Sequence, residues 1–232
     1  RHTGLRLRPS PDGMLRVLLS AHQGQWVTAD EYEGVYRLSY KPPLLGMLPP
    51  GCQQDIVLEL PCGFEGTAGA KTSCAAICAE GLSLTGKLSL HTSHSAIKAK
   101  NCACSSFSLG TSNSSITLAG LTGQTCNATT SNSRIAAAGC HFAGRLHLTT
   151  SNGGVRVEGV ASPDIALTTS NGAIKGWILG SEEDYSVSAH TSNARSSLPS
   201  IADAARPNRL YAATSNAKIR LGFAQAAPDK AG

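Results

Sequence analysis

Aromatic residues make up only 5% of this 232-residue sequence, and charged residues only 15%. So little aromatic bulk argues against a large globular interior, whereas the abundant Gly, Ser, Thr, Ala and Asn suit narrow repeated coils. No apolar run approaches the roughly eighteen residues that span a bilayer as a helix, and no charged-then-apolar signal peptide opens the sequence. Because the sequence begins at Arg1 rather than Met, we expect a fragment or a processed product.

Net charge and apolar content limit the classes of function. The 41% of apolar residues suffice for the core of one elongated domain. The net charge of +5 is modest, and there is no basic run with interleaved aromatics. We therefore expect no nucleic-acid partner, while an anionic wall polymer or lipid headgroup fits the charge.

A repeated Thr-Ser-Asn motif is the most informative feature of the sequence. Eight copies recur at spacings of 19 to 23 residues, and the first two copies have Cys or His in place of Asn. They begin at Thr72, Thr92, Thr111, Thr130, Thr150, Thr169, Thr191 and Thr214. The fifth residue after each Thr is Ile or Val, except at Ser196 in the seventh copy. A fixed period of this length is typical of solenoids.

Apolar residues alternate with polar ones on both sides of each motif, as in Leu88/Leu90 before it and Ile116/Leu118 after it. Each repeat therefore predicts two short strands around a polar corner, with one face apolar. A lone coil cannot bury that face, but stacked coils bury it as a continuous ladder. The predicted fold is all-β: a single β-solenoid, β-helix-like or β-roll-like, of about eight stacked coils.

The predicted organisation is one domain with atypical ends. Residues 1–70 lack the motif but contain strand-like stretches, so we interpret them as an N-terminal β cap of the same domain. Residues 71–224 form the solenoid repeats, and residues 225–232 are predicted to be a disordered tail. The oligomeric state is left open.

The motif residues are predicted to build a structural corner ladder. Thr lies an even number of residues after the inward apolar residues, so it is expected to point inward as they do. Asn, two residues later, is expected to point inward too and to bond the corner backbone of its own and the adjacent coil. The ladder comprises Thr111, Asn113, Thr130, Asn132, Thr150, Asn152, Thr169, Asn171, Thr191, Asn193, Thr214 and Asn216.

The chain resembles a bacterial adhesin-like family of β-strand-repeat domains, a family of unknown function. The resemblance rests on Asp55 to Pro61, on the repeated motif followed by Ile, and on Glu182 to Val187 before the seventh motif, and it covers about residues 14–224. It implies a cell-envelope role of the kind that envelope-stress sensing domains have at bacterial surfaces. It carries no catalytic residue, and only Gly153 and Gly172 keep the Gly that usually follows Asn.

The eight cysteines permit disulfides but do not suit a disulfide framework. Cys102 and Cys140 share one offset from their motifs but lie two coils apart, ~9.6 Å by strand spacing, which is beyond disulfide reach. We therefore expect mostly free thiols, which suits a cytoplasmic or anaerobic setting, and no cofactor. Cys74, Cys78 and His94 are the alternative, a zinc site without a clear fourth ligand, so no metal is assigned.

Function is expected on the outward residues, in a non-enzymatic binding or structural surface. A polysaccharide-acting β-helix enzyme is the first alternative, but no two carboxylates hold equivalent offsets on neighbouring coils. An ice-binding solenoid is the second, but the outward residues before the motif form no regular Thr array. A lengthwise cationic stripe is the candidate anion-binding surface, for envelope polymers, lipid headgroups or another protein. Its members are Lys98, Lys100, Arg156, Lys175 and Arg220.

Overall fold

A computed structural model describes residues 4–19, 27–32, 35–40, 55–201, 203 and 205–225. Within these ranges the chain is all-β, apart from a 3-10 helix at Glu182–Asp184. No helix of the described ranges is long and apolar enough to cross a membrane. The predicted β-solenoid is confirmed. The predicted tail lies outside the described residues, except for Gln225.

Ten strands form the first sheet, and nearly all its neighbours are parallel. Its strands are β1 (Leu5–Pro9), β2 (Arg16–Leu18), β5 (Ile56–Leu60), β7 (Ile77–Glu80), β9 (Ile97–Lys100), β11 (Ile116–Ala119), β13 (Ile135–Ala138), β15 (Val155–Val160), β17 (Ile174–Leu179) and β20 (Ile219–Ala224). Their spatial order is β2-β5-β1-β7-β9-β11-β13-β15-β17-β20, and only β2 is antiparallel to its neighbour.

Eight parallel strands form the second sheet, and each ends at one of the eight motif corners. They are β6 (Ala68–Thr72), β8 (Ser83–Thr92), β10 (Ala103–Thr111), β12 (Thr122–Thr130), β14 (His141–Thr150), β16 (Asp164–Thr168), β18 (Tyr185–Thr191) and β19 (Asn208–Thr214). Their spatial order is β18-β19-β16-β14-β12-β10-β8-β6. A separate antiparallel pair is β3 (Val27–Tyr32) with β4 (Val35–Tyr40).

The core lies between the two long sheets and is built of rows in which equivalent residues stack coil upon coil. The Ile or Val that follows seven of the eight motifs forms one unbroken row, in direct register from strand to strand and at most 1% exposed. The row is Ile77, Ile97, Ile116, Ile135, Val155, Ile174 and Ile219. Stacking thus buries the apolar face that a single coil would leave in water.

The last coil is inserted out of chain order. Strand β19 pairs with β16 on one side and with β18 on the other, and β20 pairs directly with β17. The eighth motif therefore stacks on the sixth, and the seventh lies outside both. This order explains the exception at Ser196: Ile219 continues the buried row, while Ser196 only bridges its edge.

A segment after the seventh motif closes this end of the solenoid. Ser197 donates its backbone N–H to the Ile219 carbonyl at 3.0 Å, and Ile201 exchanges two backbone hydrogen bonds with Val187 at 2.8 and 2.9 Å. Leu198, which lies between Ser197 and Ile201 in the sequence, is only 7% exposed and packs against the end of the core. The segment thereby pairs the exposed edges of β18 and β20, which would otherwise offer a template for strand addition.

The opposite end is closed by strands from the first part of the chain, within the predicted cap. Strand β1 lies between β7 and β5, and β2 runs antiparallel beyond β5. The Glu59 side chain, 6% exposed, lies between Arg8, at 2.7 Å, and Arg16, at 3.7 Å. The two guanidinium groups compensate the desolvation of this carboxylate.

Candidate cationic surface on the ten-stranded sheet

The motif threonines point inward at the corner, in the orientation predicted from parity. Their hydroxyls donate to a carbonyl of the neighbouring coil: Thr130 Oγ1 to Ser114 O at 3.0 Å and Thr150 Oγ1 to Ser133 O at 2.9 Å. Thr214 Oγ1, on the inserted coil, donates in the same way to Gly172 O of the sixth repeat at 3.0 Å. Thr111 and Thr169 are buried likewise, and Thr191 at the end is half-buried.

The motif asparagines do not point inward, and that prediction is wrong. All six are exposed, and each amide contacts the amide of the next coil, as in Asn132 Nδ2 to Asn113 Oδ1 at 2.7 Å. The ladder continues through Asn152, Asn171, Asn216 and Asn193, with donor–acceptor distances of 2.6 to 2.8 Å. Strand alternation ends at Thr because the chain bends there, so parity no longer fixes the direction of Asn.

The corner polar groups are thus satisfied by the corner itself. Threonine hydroxyls donate to carbonyls of the adjacent coil, and backbone N–H groups of the asparagines donate to its serine carbonyls, as in Asn132 N to Ser112 O at 3.0 Å. A corner whose donors and acceptors are paired internally is a structural element. The candidate binding residues must therefore be sought on the outer faces of the sheets.

The five predicted cations all lie exposed on the outer face of the ten-stranded sheet. Arg156, Lys175 and Arg220 are direct register partners on three adjacent strands. Adjacent strands are ~4.8 Å apart, so these three side chains arise within ~10 Å along the solenoid axis. We call this set the cationic row. The insertion of the last coil creates it, because stacking in chain order would separate Arg220 from Lys175.

Lys98 and Lys100 do not belong to the same cluster. Thr117 and Ala136 occupy the two register positions between Lys98 and Arg156, which makes three strand steps, ~14 Å. Charges separated by more than the ~8 Å screening length at physiological ionic strength act almost independently. The predicted lengthwise stripe is therefore divided into two separate groups.

The cationic row has one internal counter-charge. Arg156 Nε donates to Glu158 Oε1 at 2.7 Å, which partly neutralises this guanidinium group. Within the described part of the chain, neither Lys175 nor Arg220 forms an ion pair. Positive charge is thus concentrated on the last two strands of the sheet.

Two further cations adjoin this end. The Lys218 carbonyl accepts from Ile174 N and the Arg195 carbonyl accepts from Ile219 N, each at 3.2 Å, so both residues flank the start of the last two strands. Their exposed side chains extend the positive field toward the corner.

Sequence reasoning missed Trp177, which lies beside the cationic row. Trp177 follows Thr169 by eight residues, the offset at which Glu158 follows Thr150 and Gly222 follows Thr214. The structure confirms that these three residues are register partners. The shared offset, on the same outward phase as the cations, was the signal that could have identified it.

Seven of the eight cysteines lie in the described residues, and all seven are free thiols there. Cys126 occupies a core position in register with Phe107 and Leu146. Burial raises its thiol pKa and raises that of Cys104 to about 12, which keeps both thiols protonated.

The residues of the alternative zinc site are Cys74, Cys78 and His94. Cys74 and His94 are exposed, and Cys78 is half-buried. Across the described ranges, no group of three or more His, Cys, Asp or Glu side chains is arranged to hold a metal ion.

A shallow cavity of about 560 Å³ lies on the eight-stranded sheet, at the start of strand β16, which begins later than its neighbours β14 and β19. Phe142, Pro163 and Leu179 form apolar walls, and the Tyr185 hydroxyl donates to the Ser162 carbonyl at 3.1 Å. Burial raises the pKa of Tyr185, and none of the described residues that line the cavity is a carboxylate. Among the described residues, the titratable side chains that line the cavity are His141 and Tyr185.

Comparison with known proteins identifies the family of the chain but no specific function. No curated protein and no solved structure matches the chain. The Toastrack DUF4097 family, a family of domains of unknown function, matches residues 30–205, which is a narrower range than the resemblance predicted. This match covers most of the repeats and accords with the β-solenoid. The chain belongs to the Toastrack DUF4097 family.

Proposed function

We propose that this chain is a non-enzymatic, adhesin-like binding module of the cell envelope, and that its partner is an anionic linear polymer. The polymer lies along the cationic row Arg156, Lys175 and Arg220. The register of these three residues on adjacent strands carries the proposal. The resemblance to envelope-associated repeat domains supports the location.

Electrostatics favours a polymer that runs along the solenoid axis. The row crosses the strands, and its spacing of ~4.8 Å per strand lets successive negative groups contact successive cations. Neighbouring charges of the row are ~4.8 Å apart, well within the ~8 Å screening length, so the fields of neighbours add. On the other sheet, by contrast, Arg145 is paired with Asp164 at 2.7 Å. The cationic row therefore suits a polyanion better than Arg145, which already has a counter-charge.

A role without catalysis fits the placement of the titratable groups. Glycan-cleaving sites need two carboxylates on one groove, and the carboxylate beside the cationic row, Glu158, is already held by Arg156. The described residues that line the shallow cavity include His141 and Tyr185 but no carboxylate. We therefore assign the outer face to recognition.

Charge reversal of the row tests the proposal. The combined variant Arg156→Glu, Lys175→Glu and Arg220→Glu is expected to bind polyphosphate, a linear polyanion, at least about tenfold more weakly, because three exposed attractions become repulsions. Titration calorimetry at low ionic strength measures the affinity.

The matched control reverses Lys71, Lys87 and Arg209, which are exposed on the other sheet and give the same change in net charge. We expect this control to lose much less affinity. An equal loss in both variants, or no loss in either, would contradict a localised site. Binding to anionic-lipid vesicles without binding to polyanions would contradict the choice of a polymer.

A further inference from the structure

Trp177 is held in a defined position on the outer face of strand β17. It alternates with the buried Ile178 and shares its outward phase with Lys175, two residues before it. Its ring lies over Gly159, whose φ is +63°, and a Cβ at Gly159 would come within 2.7 Å of a ring carbon. Gly159 thus provides the space in which one part of the indole packs, and Trp177 as a whole is half-buried.

An open notch lies beside this ring. Gly222 is the register partner of Trp177 on the last strand, and a Cβ added there would meet no heavy atom of the described residues within 4 Å. Lys175 and Arg220 are also register partners, two residues before Trp177 and Gly222, and they lie along one side of the notch. On the other side of Trp177 is its second register partner, Glu158.

We propose that the polymer is an anionic glycan, and that Trp177 is the platform on which one of its sugar rings stacks. The inference rests on the proposed function and names its ligand class. An indole offers an apolar face to the C–H face of a sugar ring, and the missing side chain at Gly222 leaves room for that ring. Lys175 and Arg220 receive the carboxylates of the same or adjacent units.

Glu158 completes the recognition of a sugar rather than of a bare polyanion. One of its oxygens is held by Arg156, and the side chain is 41% exposed. Its remaining acceptor capacity suits a sugar hydroxyl, whereas a second anionic group at this place would be repelled. Aromatic face, acceptor and cations together match a ring that carries both hydroxyls and a carboxylate.

The decisive experiment compares two linear polyanions, polygalacturonate, which has sugar rings, and polyphosphate, which has none. Trp177→Ala is expected to weaken polygalacturonate binding about five- to tenfold and to change polyphosphate binding less than about twofold, because stacking needs a ring. Trp177→Phe, which keeps an aromatic face, is expected to retain an intermediate affinity for polygalacturonate. Trp26→Phe removes the only other tryptophan, and in this background Trp177 fluorescence should respond to polygalacturonate but not to polyphosphate.

Each outcome decides between the two proposals. If the wild-type protein binds neither polymer, the proposed function and the glycan assignment both fail. If it binds both and Trp177→Ala changes neither, or weakens both equally, the glycan assignment fails while polyanion binding stands. Selective loss of polygalacturonate binding, with the fluorescence response, supports it.

Discussion

Gly176→Ala is expected to lower the free energy of unfolding by ~2–6 kcal/mol, one of the two largest single-residue effects in this chain. Gly176 is an inward position between Val157 and Leu221, with φ at +130°. A Cβ there would lie 1.6 Å from the Val157 carbonyl oxygen. That oxygen belongs to the backbone of the paired strand and cannot rotate away, so the two strands would have to separate. Urea unfolding followed by circular dichroism measures the loss.

Gly222→Ala is the matched control on the neighbouring strand. Within the described part of the chain, a Cβ at Gly222 meets nothing within 4 Å, and its backbone has no positive φ. We expect a change within about 0.5 kcal/mol. Equal stability of the two variants would contradict the close approach of β15 and β17.

Ile219→Ser is expected to cost ~3–6 kcal/mol, since it opens a cavity in the buried Ile row and leaves a hydroxyl in apolar surroundings. The magnitude follows from the inserted coil: Ile219 is 0% exposed because it is in register with Ile174 and is covered from outside by the segment at Ser196. A terminal coil stacked in chain order would leave this position near solvent and reduce the loss. Thermal and urea unfolding both report it.

Ser196→Ile distinguishes the two coil orders directly. In the observed order Ser196 is outside the row, and its hydroxyl bonds the Leu198 carbonyl and N–H at 3.0 and 3.1 Å. Loss of these bonds is expected to lower stability by ~1 kcal/mol. If the coils were stacked in chain order, Ile would instead fill a gap in the row and raise stability.

The repeat carried most of the fold information. Eight phased motifs with alternating apolar residues predicted the coils, the inward threonines and the continuous Ile row, because stacking identical units leaves one way to bury the same face. The asparagines were misplaced because alternation holds only along a strand, and the chain bends at Ser131 and its equivalents. Local parity cannot specify a direction beyond such a bend.

The coil order was beyond the reach of the sequence pattern. Consecutive repeats usually stack as neighbours, whereas here the seventh motif lies outside the eighth, so Ile219 continues the row and Ser196 does not. The candidate site depends on this displacement, since it places Arg220 next to Lys175. The outward phase of the cations was predictable from the sequence; their division into two groups and the neighbouring Trp177 required the register.

The most direct test of polyanion binding by the cationic row is the salt dependence of wild-type affinity for polygalacturonate. If about three cations displace counterions from the polymer, the logarithm of the association constant should fall linearly with the logarithm of salt concentration, with a slope of roughly −2 to −3. A slope near zero, or no measurable binding at low salt, would contradict the account.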